Sequence, residues 1–214
     1  ADPIVRSGGS SMDALHVDFD PAMGPESFDA LRKELVAVAR GTTYTSATAL
    51  RDNKDATDDD TEPWARGRGG TRLGRAVHAA IQSLDLDAAA TEVEAFARAQ
   101  AVAEGIPHRE DDVAALVSRA LASGAAERAR SARRVMREVP FALNLGGHVV
   151  EGFVDLLIET DDGLEIVDWK TDQIPAEDVP ERLEKYALQA GLYALGLSRA
   201  TNAAIRSITY VFVS

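Results

Sequence analysis

The sequence predicts a mixed domain, of α+β or α/β class, because the spacing of its hydrophobic residues changes from helical to strand-like along the chain and then becomes helical again. Up to about residue 136 apolar residues recur mainly at helical spacing, and from Glu138 they alternate with polar residues as in strands. A helical stretch over 178–197 and a strand-like stretch over 207–214 follow. With 214 residues, 45% of them hydrophobic and 27% charged, the chain can bury a sizeable core.

The first part of the chain is predicted to contain helices separated by polar segments. Apolar residues recur at helical spacing over 25–40 and 71–83, so we expect a helix in each. Residues 43–50 form either a short strand or the start of a helix, and the acidic run over 51–62 is expected to be a solvated linker. The alanine-rich region over 88–136 predicts two or three helices, interrupted at "GIP" and "SG".

The alternating part of the chain predicts hairpins. Three strands are expected: 138–145, 148–159 and 163–171. The segments between them carry tight-turn signals, Gly146-Gly147 and "TDDG". Pro180 is compatible with the following helix only in its first turn.

These elements suggest a division of the chain. Residues 1–12 resemble vector sequence and a Gly/Ser linker, and we expect them outside the fold. The segment 13–70 is expected to carry the N-terminal helix and the acidic linker. Residues 71–214 are expected to form the main domain, with 88–136 as a helical insertion.

Composition removes several classes of site. The absence of cysteine excludes disulfides, thiolate zinc sites and iron–sulfur clusters, and leaves histidines and carboxylates as possible metal ligands. No stretch approaches the ~20 apolar residues of a membrane span, so no membrane partner is expected. No signal peptide is recognisable, which favours the cytoplasm.

The net charge of −12 argues at first sight against nucleic acid, because phosphate contacts need Lys and Arg. The charge is unevenly distributed, however, with basic residues clustered in 66–75 and 127–137. Global charge therefore decides little about this partner.

One strand ends in an unusual way. Leu164 and Ile166 form an apolar face, and Asp168 and Lys170 continue that same face. A hairpin loop at 162–163 places Asp155 opposite Lys170, and a loop at 161–162 places it opposite Asp168. In either register Asp155 shares a face with both residues.

Two carboxylates at the end of an apolar face repel each other, and burial raises their pKa values. A single lysine neutralises only part of that charge, whereas a divalent cation neutralises both carboxylates, and oxygen ligands suit Mg²⁺ or Mn²⁺. The alternative is a partly exposed ion pair between Asp168 and Lys170, with Asp155 solvated.

The stretch "GFVDLLIETDDGLEIVDWKTD" (152–172) resembles the core of the PD-(D/E)XK nucleases, in their RecB-like branch. Three further stretches match that branch in order: "GRAVHA" (74–79) its Gly-x-x-x-His helix, "REVPF" (137–141) its Glu-bearing strand, and "YALQAGLY" (186–193) its Gln-x-x-x-Tyr helix. The resemblance covers about residues 71–197. It implies a restriction-endonuclease-like core, in which helices flank a small mixed sheet, and a Mg²⁺- or Mn²⁺-dependent deoxyribonuclease.

The resemblance also implies a metal site. Asp155 and Asp168 would bind the ion with His78 as a third side-chain ligand, and the backbone carbonyl of Trp169 would point into the same site. For His78 the alternative is a satisfied core histidine. The Trp169 side chain faces away from Asp168 and is expected to pack against a helix.

Four more residues are implied near the metal. Lys170 would hold or polarise the attacking water. Gln189 and Tyr193, one turn apart on a helix, would frame the site and contact Lys170 or the DNA backbone. Glu138 would lie near the site without a settled role. Tyr186 is expected to be a core aromatic.

The resemblance finally implies partners. Because it has no cysteine, the chain is most similar to the nuclease domains without an iron–sulfur cluster that are fused to UvrD-like helicases in bacterial break repair. The expected substrate is therefore DNA, in the form of single strands fed by a helicase motor in the same or a partner chain. It has no Gly-x-x-x-x-Gly-Lys-[Ser/Thr] loop of its own. Four arginines are expected to contact phosphates: Arg130, Arg133, Arg134 and Arg137.

Three alternatives stay open at this point. The domain could be a catalytically idle module of the same fold that binds DNA or a partner, or a free-standing exonuclease. The motif match could also be accidental in a helical interaction module, which a one-residue register shift of the 148–170 hairpin would favour.

Overall fold

A computed structural model describes two long segments of the chain and several short ones. The described residues are 4–7, 14–18, 33, 44–46, 71–171 and 179–213, with side chains described for 33, 71–171 and 186–213. Apart from residue 33, which is helical, the helix expected over 25–40 lies outside the described residues, and so does the acidic linker.

The described helices and strands follow the expected order. The helices are α1 (Arg72–Ser83), α2 (Ala90–Ala103), α3 (Glu110–Leu121), α4 (Gly124–Arg130) and α5 (Val179–Thr201), with a 3₁₀ turn at Pro107–Arg109. The strands are β1 (Ile4–Ser7), β2 (Ala14–Asp18), β3 (Tyr44–Ser46), β4 (Arg134–Leu145), β5 (His148–Thr160), β6 (Gly163–Lys170) and β7 (Ile205–Phe212). No helix in these segments is both long and apolar enough to span a membrane.

Local signals explain where these helices begin and end. The Thr71 hydroxyl accepts a hydrogen bond from Gly74 N (3.1 Å) and caps α1, and Ser123 caps α4 in the same way. Gly105, with φ 70°, follows the end of α2 in the left-handed conformation that glycine permits. The alanine-rich region therefore contains three helices, as its breaks predicted.

The strands form one mixed sheet. Its order is β1-β2-β7-β6-β5-β3, with β4 paired to β5. The pairs β6–β7 and β3–β5 are parallel, and the others are antiparallel. The β4–β5 hairpin turns at Gly146 and Gly147, both with positive φ, as predicted.

The β5–β6 loop lies at 161–162 rather than 162–163, because Thr160 pairs with Gly163. Gly163 already belongs to β6, where its φ is 141° and an added Cβ would lie 2.5 Å from the Ala204 carbonyl oxygen. Close approach to the segment before β7 therefore explains this glycine. The observed register is the one that places Asp155 opposite Asp168.

Helices cover both faces of the sheet. The cluster on one face joins α1–α4 to Leu156, Ile158, Val167 and Trp169, and the cluster on the other face joins α5 to Leu157 and other strand residues. Trp169 therefore packs against helices, as predicted, and the described residues form two cores on opposite faces of the sheet.

The start of the chain requires a correction. Residues 4–7 do not lie outside the fold, since β1 pairs with β2, which in turn pairs with β7. Without β1, the outer edge of β2 would present unpaired backbone groups. The vector or linker origin of 1–12 and a domain start at residue 71 stay predictions, but three strands that precede residue 71 belong to the sheet. One of them, β3, shows that 43–50 contains a strand.

Candidate active site

The site begins at an irregularity in the β4–β5 pair. Glu138 lies opposite Asp155 in the register of this pair, and we call these two residues the acidic rung. Glu138 has φ 48°, an unfavourable conformation for a residue with a Cβ. Val154 belongs to the core on the α5 side and Leu156 to the core on the α1–α4 side, so the alternation of β5 is interrupted at Asp155. The irregularity thus lies at the two carboxylates.

Helix α1 brings a histidine to the acidic rung. A Cβ on Gly74 would lie 3.0 Å from Thr171 Oγ1, so glycine lets α1 approach the end of β6 closely. One turn later, His78 Nδ1 lies 3.2 Å from Asp155 Oδ1. His78, Glu138 and Asp155 each offer a ligand atom, and these atoms lie within 4.8 Å of one another. This arrangement is that of a candidate metal site.

Electrostatics make His78 and Asp155 an ion pair in the absence of a cation. Burial lowers the pKa of His78, but the charge of Asp155 and their hydrogen bond outweigh it and raise this pKa to about 9. Burial also opposes ionisation of Asp155, yet His78, Lys170 and the amide of Trp169 hold its pKa below the usual value. The Trp169 N–H donates to Asp155 Oδ2 at 2.7 Å.

The second group is a closed ring of side chains on the α5 side. Tyr193 Oη donates to Asp168 Oδ1 (3.0 Å), Gln189 Nε2 donates to Tyr193 Oη (2.6 Å), and Lys170 Nζ donates to Gln189 Oε1 (3.4 Å). An ion pair between Lys170 and Asp168 Oδ2 completes the ring. Each member therefore holds the next in place.

Burial controls the charge of this ring. It raises the pKa of Asp168, and Asp155 raises it further, whereas Lys170 lowers it. Burial also raises the pKa of Tyr193 well above its usual value, so its hydroxyl is a neutral donor. Asp168 Oδ2 has no aligned hydrogen-bond donor among the described residues, although it contacts the Lys170 ammonium.

Two tyrosine rings flank Lys170. Its Nζ lies 5.2 Å from the Tyr186 ring centroid and 5.4 Å from that of Tyr210, within cation–π range. Tyr210 Oη also donates to the Tyr186 carbonyl at 3.0 Å. Tyr186 is buried in the core, as predicted, but Tyr210 was not singled out by the sequence. Tyr210 pairs with Asp168 in the parallel β6–β7 pair, and the sequence could have indicated its position only if the register of β7 were known.

The structure gathers seven of the sequence-predicted site residues around the end of β6: His78, Glu138, Asp155, Asp168, Lys170, Gln189 and Tyr193. Glu138, which had no settled role, belongs to the cluster of possible ligands, and Asp168 lies in the adjoining ring. The backbone amide of Trp169 contacts Asp155, and a role for its carbonyl stays a prediction.

Two of the four arginines have partners inside the chain. Arg130 Nη2 donates to the carbonyls of Leu86 and Leu121, each at 2.6 Å. Arg137 donates to the Leu84 carbonyl just after α1. These guanidinium groups therefore satisfy backbone carbonyls at or after the ends of helices and in the turn that follows α1.

The other two arginines are exposed and lie near the C-terminal end of β5, where Arg134 pairs with Glu159, four residues after Asp155. Arg134 lies 4.0 Å from Glu159, and Arg133 lines an open groove of about 660 Å³ near Asp161. Phosphate contacts by the four arginines stay a prediction, and the structure does not bring Arg133 or Arg134 to the acidic rung.

Comparison with known proteins agrees with this geometry. Residues 27–214 match the model of the PD-(D/E)XK nuclease superfamily. The chain is 30% identical over 163 residues to an ATP-dependent helicase/nuclease protein of Carboxydothermus hydrogenoformans, covering 68% of this chain and 14% of that protein. It is 34% identical over 165 residues to an ATP-dependent helicase/nuclease protein of Desulforudis audaxviator, covering 66% of this chain and 13% of that protein.

The chain thus spans about one seventh of the length of these relatives. The match to the family extends over most of the chain, and the mixed sheet flanked by helices confirms the predicted restriction-endonuclease-like fold class. The chain belongs to the PD-(D/E)XK nuclease superfamily.

Proposed function

We propose that this domain hydrolyses phosphodiester bonds in DNA with Mg²⁺ or Mn²⁺, and that its substrate is a single strand delivered by a helicase motor. The observation that carries the proposal is the cluster of His78, Glu138 and Asp155 directly beside the ring that contains Asp168 and Lys170.

The side chains fit a divalent cation. Ligands of one Mg²⁺ or Mn²⁺ lie about 2.1 Å from the ion, so two of them are separated by at most about 4.2 Å. The 4.8 Å limit of the observed cluster requires only small side-chain movements. His78, Asp155 and, from the adjoining ring, Asp168 would hold the ion, and Glu138 would add a further oxygen ligand. A bound cation would act as a Lewis acid and lower the pKa of its water.

The second group supplies charge and orientation. The Lys170 ammonium is held by Asp168, Gln189 and two tyrosine rings, so its position is set before substrate binds. A fixed cation stabilises the negative charge that develops on the phosphoryl oxygens as water adds to phosphorus and the P–O bond breaks. Tyr193 holds Asp168 on the other side, which keeps its second oxygen directed at Lys170.

The relatives support the choice of substrate and partner. They are named as ATP-dependent helicase/nuclease proteins, and the present chain corresponds to a small part of each. A motor in the same or a partner chain would deliver single strands, which suits a chain with a net charge of −12, since such a chain attracts DNA poorly by itself.

The direct test is cleavage of labelled single-stranded DNA with Mn²⁺, with Mg²⁺ and with a chelator. We expect metal-dependent cutting that falls at least about 100-fold in Asp168→Ala and in Lys170→Ala. Asp161→Ala, which removes an exposed carboxylate from the β5–β6 loop, is the matched control and should cut normally.

Calorimetry with Mn²⁺ separates the remaining outcomes. A Mn²⁺ site that Asp168→Ala removes, without cutting, would mean that the site is intact and delivery of the strand is missing. DNA binding with neither cutting nor a metal site would favour the catalytically idle module. Efficient degradation of duplex ends by the isolated chain would favour the free-standing exonuclease.

A further inference from the structure

An exposed aromatic side chain lies beside the acidic rung. Among the described residues, the exposed large hydrophobic side chains are Val102 (60%), Phe153 (44%) and Phe96 (37%). Phe96 and Val102 belong to α2, whereas Phe153 lies on β5 two residues before Asp155, about 7 Å along the strand. Phe153 is therefore the exposed aromatic of this set that adjoins the site.

The direction of Phe153 follows from its neighbours. Val150 and Val154 pack into the core on the α5 side, so Phe153 between them points to the opposite side of the sheet. His78 reaches Asp155 from that same side. The cross-strand partner of Phe153 is Pro140, which is also exposed, and we call this pair the apolar rung.

The described helices α1–α5 leave this part of the sheet uncovered. The core on the α1–α4 side includes Leu156 and Ile158 of β5 but, among the described residues, nothing earlier on that strand. An apolar rung next to an acidic rung is therefore open on the side from which a phosphate would approach His78.

We infer that Phe153 stacks on an unpaired base of the DNA strand, next to the phosphate at the acidic rung. The inference rests on the proposed function and sharpens it, because it makes Phe153 a source of the preference for single strands. An unpaired base in a single strand offers a free π face to an aromatic side chain, whereas both faces of a base in a duplex are covered.

The charges around the site favour this mode of binding. The acidic rung repels phosphates when no cation is bound, and Arg130 and Arg137 donate to backbone carbonyls. Stacking supplies affinity without a cationic side chain and tolerates any base sequence, which suits a strand fed past the site.

The experiment compares cutting by the wild-type chain, Phe153→Ala, Phe153→Trp and Phe96→Ala. The substrates are a single-stranded oligonucleotide and a series in which one abasic site is moved along it. We expect Phe153→Ala to lower kcat/KM by roughly 5- to 150-fold, which corresponds to one lost stack. Phe153→Trp should restore cutting, and Phe96→Ala, the matched exposed phenylalanine, should have no effect.

The abasic series tests the contact itself. One abasic position should impair the wild-type chain about as much as Phe153→Ala does, and Phe153→Ala should add almost nothing on that substrate. If the loss from Phe153→Ala and the loss from the abasic site multiply wherever the abasic site is placed, the inference is overturned. Normal cutting by Phe153→Ala would also overturn it. Thermal unfolding checks that this exposed substitution leaves the fold intact.

A measurement of DNA binding tests the inference separately from the proposed function. If the wild-type chain fails to cut, the proposed function falls, and anisotropy of a labelled single strand in chelator still tests stacking. The affinity lost by Phe153→Ala should then be similar at low and high salt, because stacking releases no counterions. Equal affinities of Phe153→Ala and wild type would reject the contact even then.

Discussion

The two groups of the candidate active site differ in how firmly the fold holds them. The open half, formed by His78, Glu138 and Asp155, is partly exposed, with side-chain exposures of 31% for His78 and 14% for Asp155. The lysine half, formed by Asp168, Lys170, Gln189 and Tyr193, is closed, with exposures of 11% for Lys170 and 4% for Asp168. Under the proposed function, the open half would exchange the proton of His78 for a cation, whereas the closed half would hold the Lys170 ammonium in a fixed position.

The largest expected contrast concerns the two aspartates. Asp168→Ala leaves the nearly buried Lys170 ammonium without its carboxylate, and breaking such a pair lowers the free energy of unfolding by about 3–5 kcal/mol. Asp155→Ala leaves His78, which can lose its proton, so its effect should be smaller. Urea denaturation in chelator measures both, and equal losses would contradict the division into halves.

A packing change should damage the lysine half alone. A Cβ on Gly196 would lie 2.5 Å from a Phe141 ring carbon, so Gly196→Ala forces α5 away from β4. Overpacking of this kind costs about 1–3 kcal/mol. Because none of the proposed metal ligands lies on α5, we expect the affinity for Mn²⁺ to change little while the rate of cutting falls. Calorimetry beside a cleavage assay checks this, and parallel losses would argue for a single rigid site.

The pH dependence should distinguish the open half. Because the pKa of His78 is raised from 6.5 to about 9, its ion pair stabilises the metal-free fold below pH 6.5, and this contribution disappears as pH rises through about 9. A cation needs neutral His78, so Mn²⁺ affinity should increase about tenfold per pH unit up to that value. His78→Ala should flatten both profiles. An unchanged slope in this variant would assign the protons to another group.

The smallest expected effect comes from one hydroxyl of the closed half. Tyr193→Phe removes the donor to Asp168 and the acceptor of Gln189, and a net loss of about 1 kcal/mol is expected in urea denaturation. The Mn²⁺ affinity should stay within a factor of a few, while kcat falls because Asp168 and Lys170 lose their support. Loss of metal binding in this variant would show that the halves are coupled.

Much of this site follows from local spacing. Asp168 and Lys170 share a face because side chains alternate along a strand, and Gln189 and Tyr193 share a face because they are one helical turn apart. The short β5–β6 loop brings Asp155 to the same end of the sheet. These relations depend on residues close in sequence, so the sequence by itself determined them. It also determined the order of helices and strands in the described segments. The absence of cysteine limited the possible metal ligands to histidines and carboxylates.

Only the tertiary structure decided what depends on contacts between distant segments. The left-handed backbone of Glu138 and the loop at 161–162 reflect packing that no local pattern encodes. Tyr210 reaches Lys170 through the parallel register of β7, and Arg137, whose phosphate contact stays a prediction, donates to the Leu84 carbonyl. Short-range geometry is set by backbone periodicity, whereas register, helix approach and the partner of a long side chain are set by which surfaces pack together.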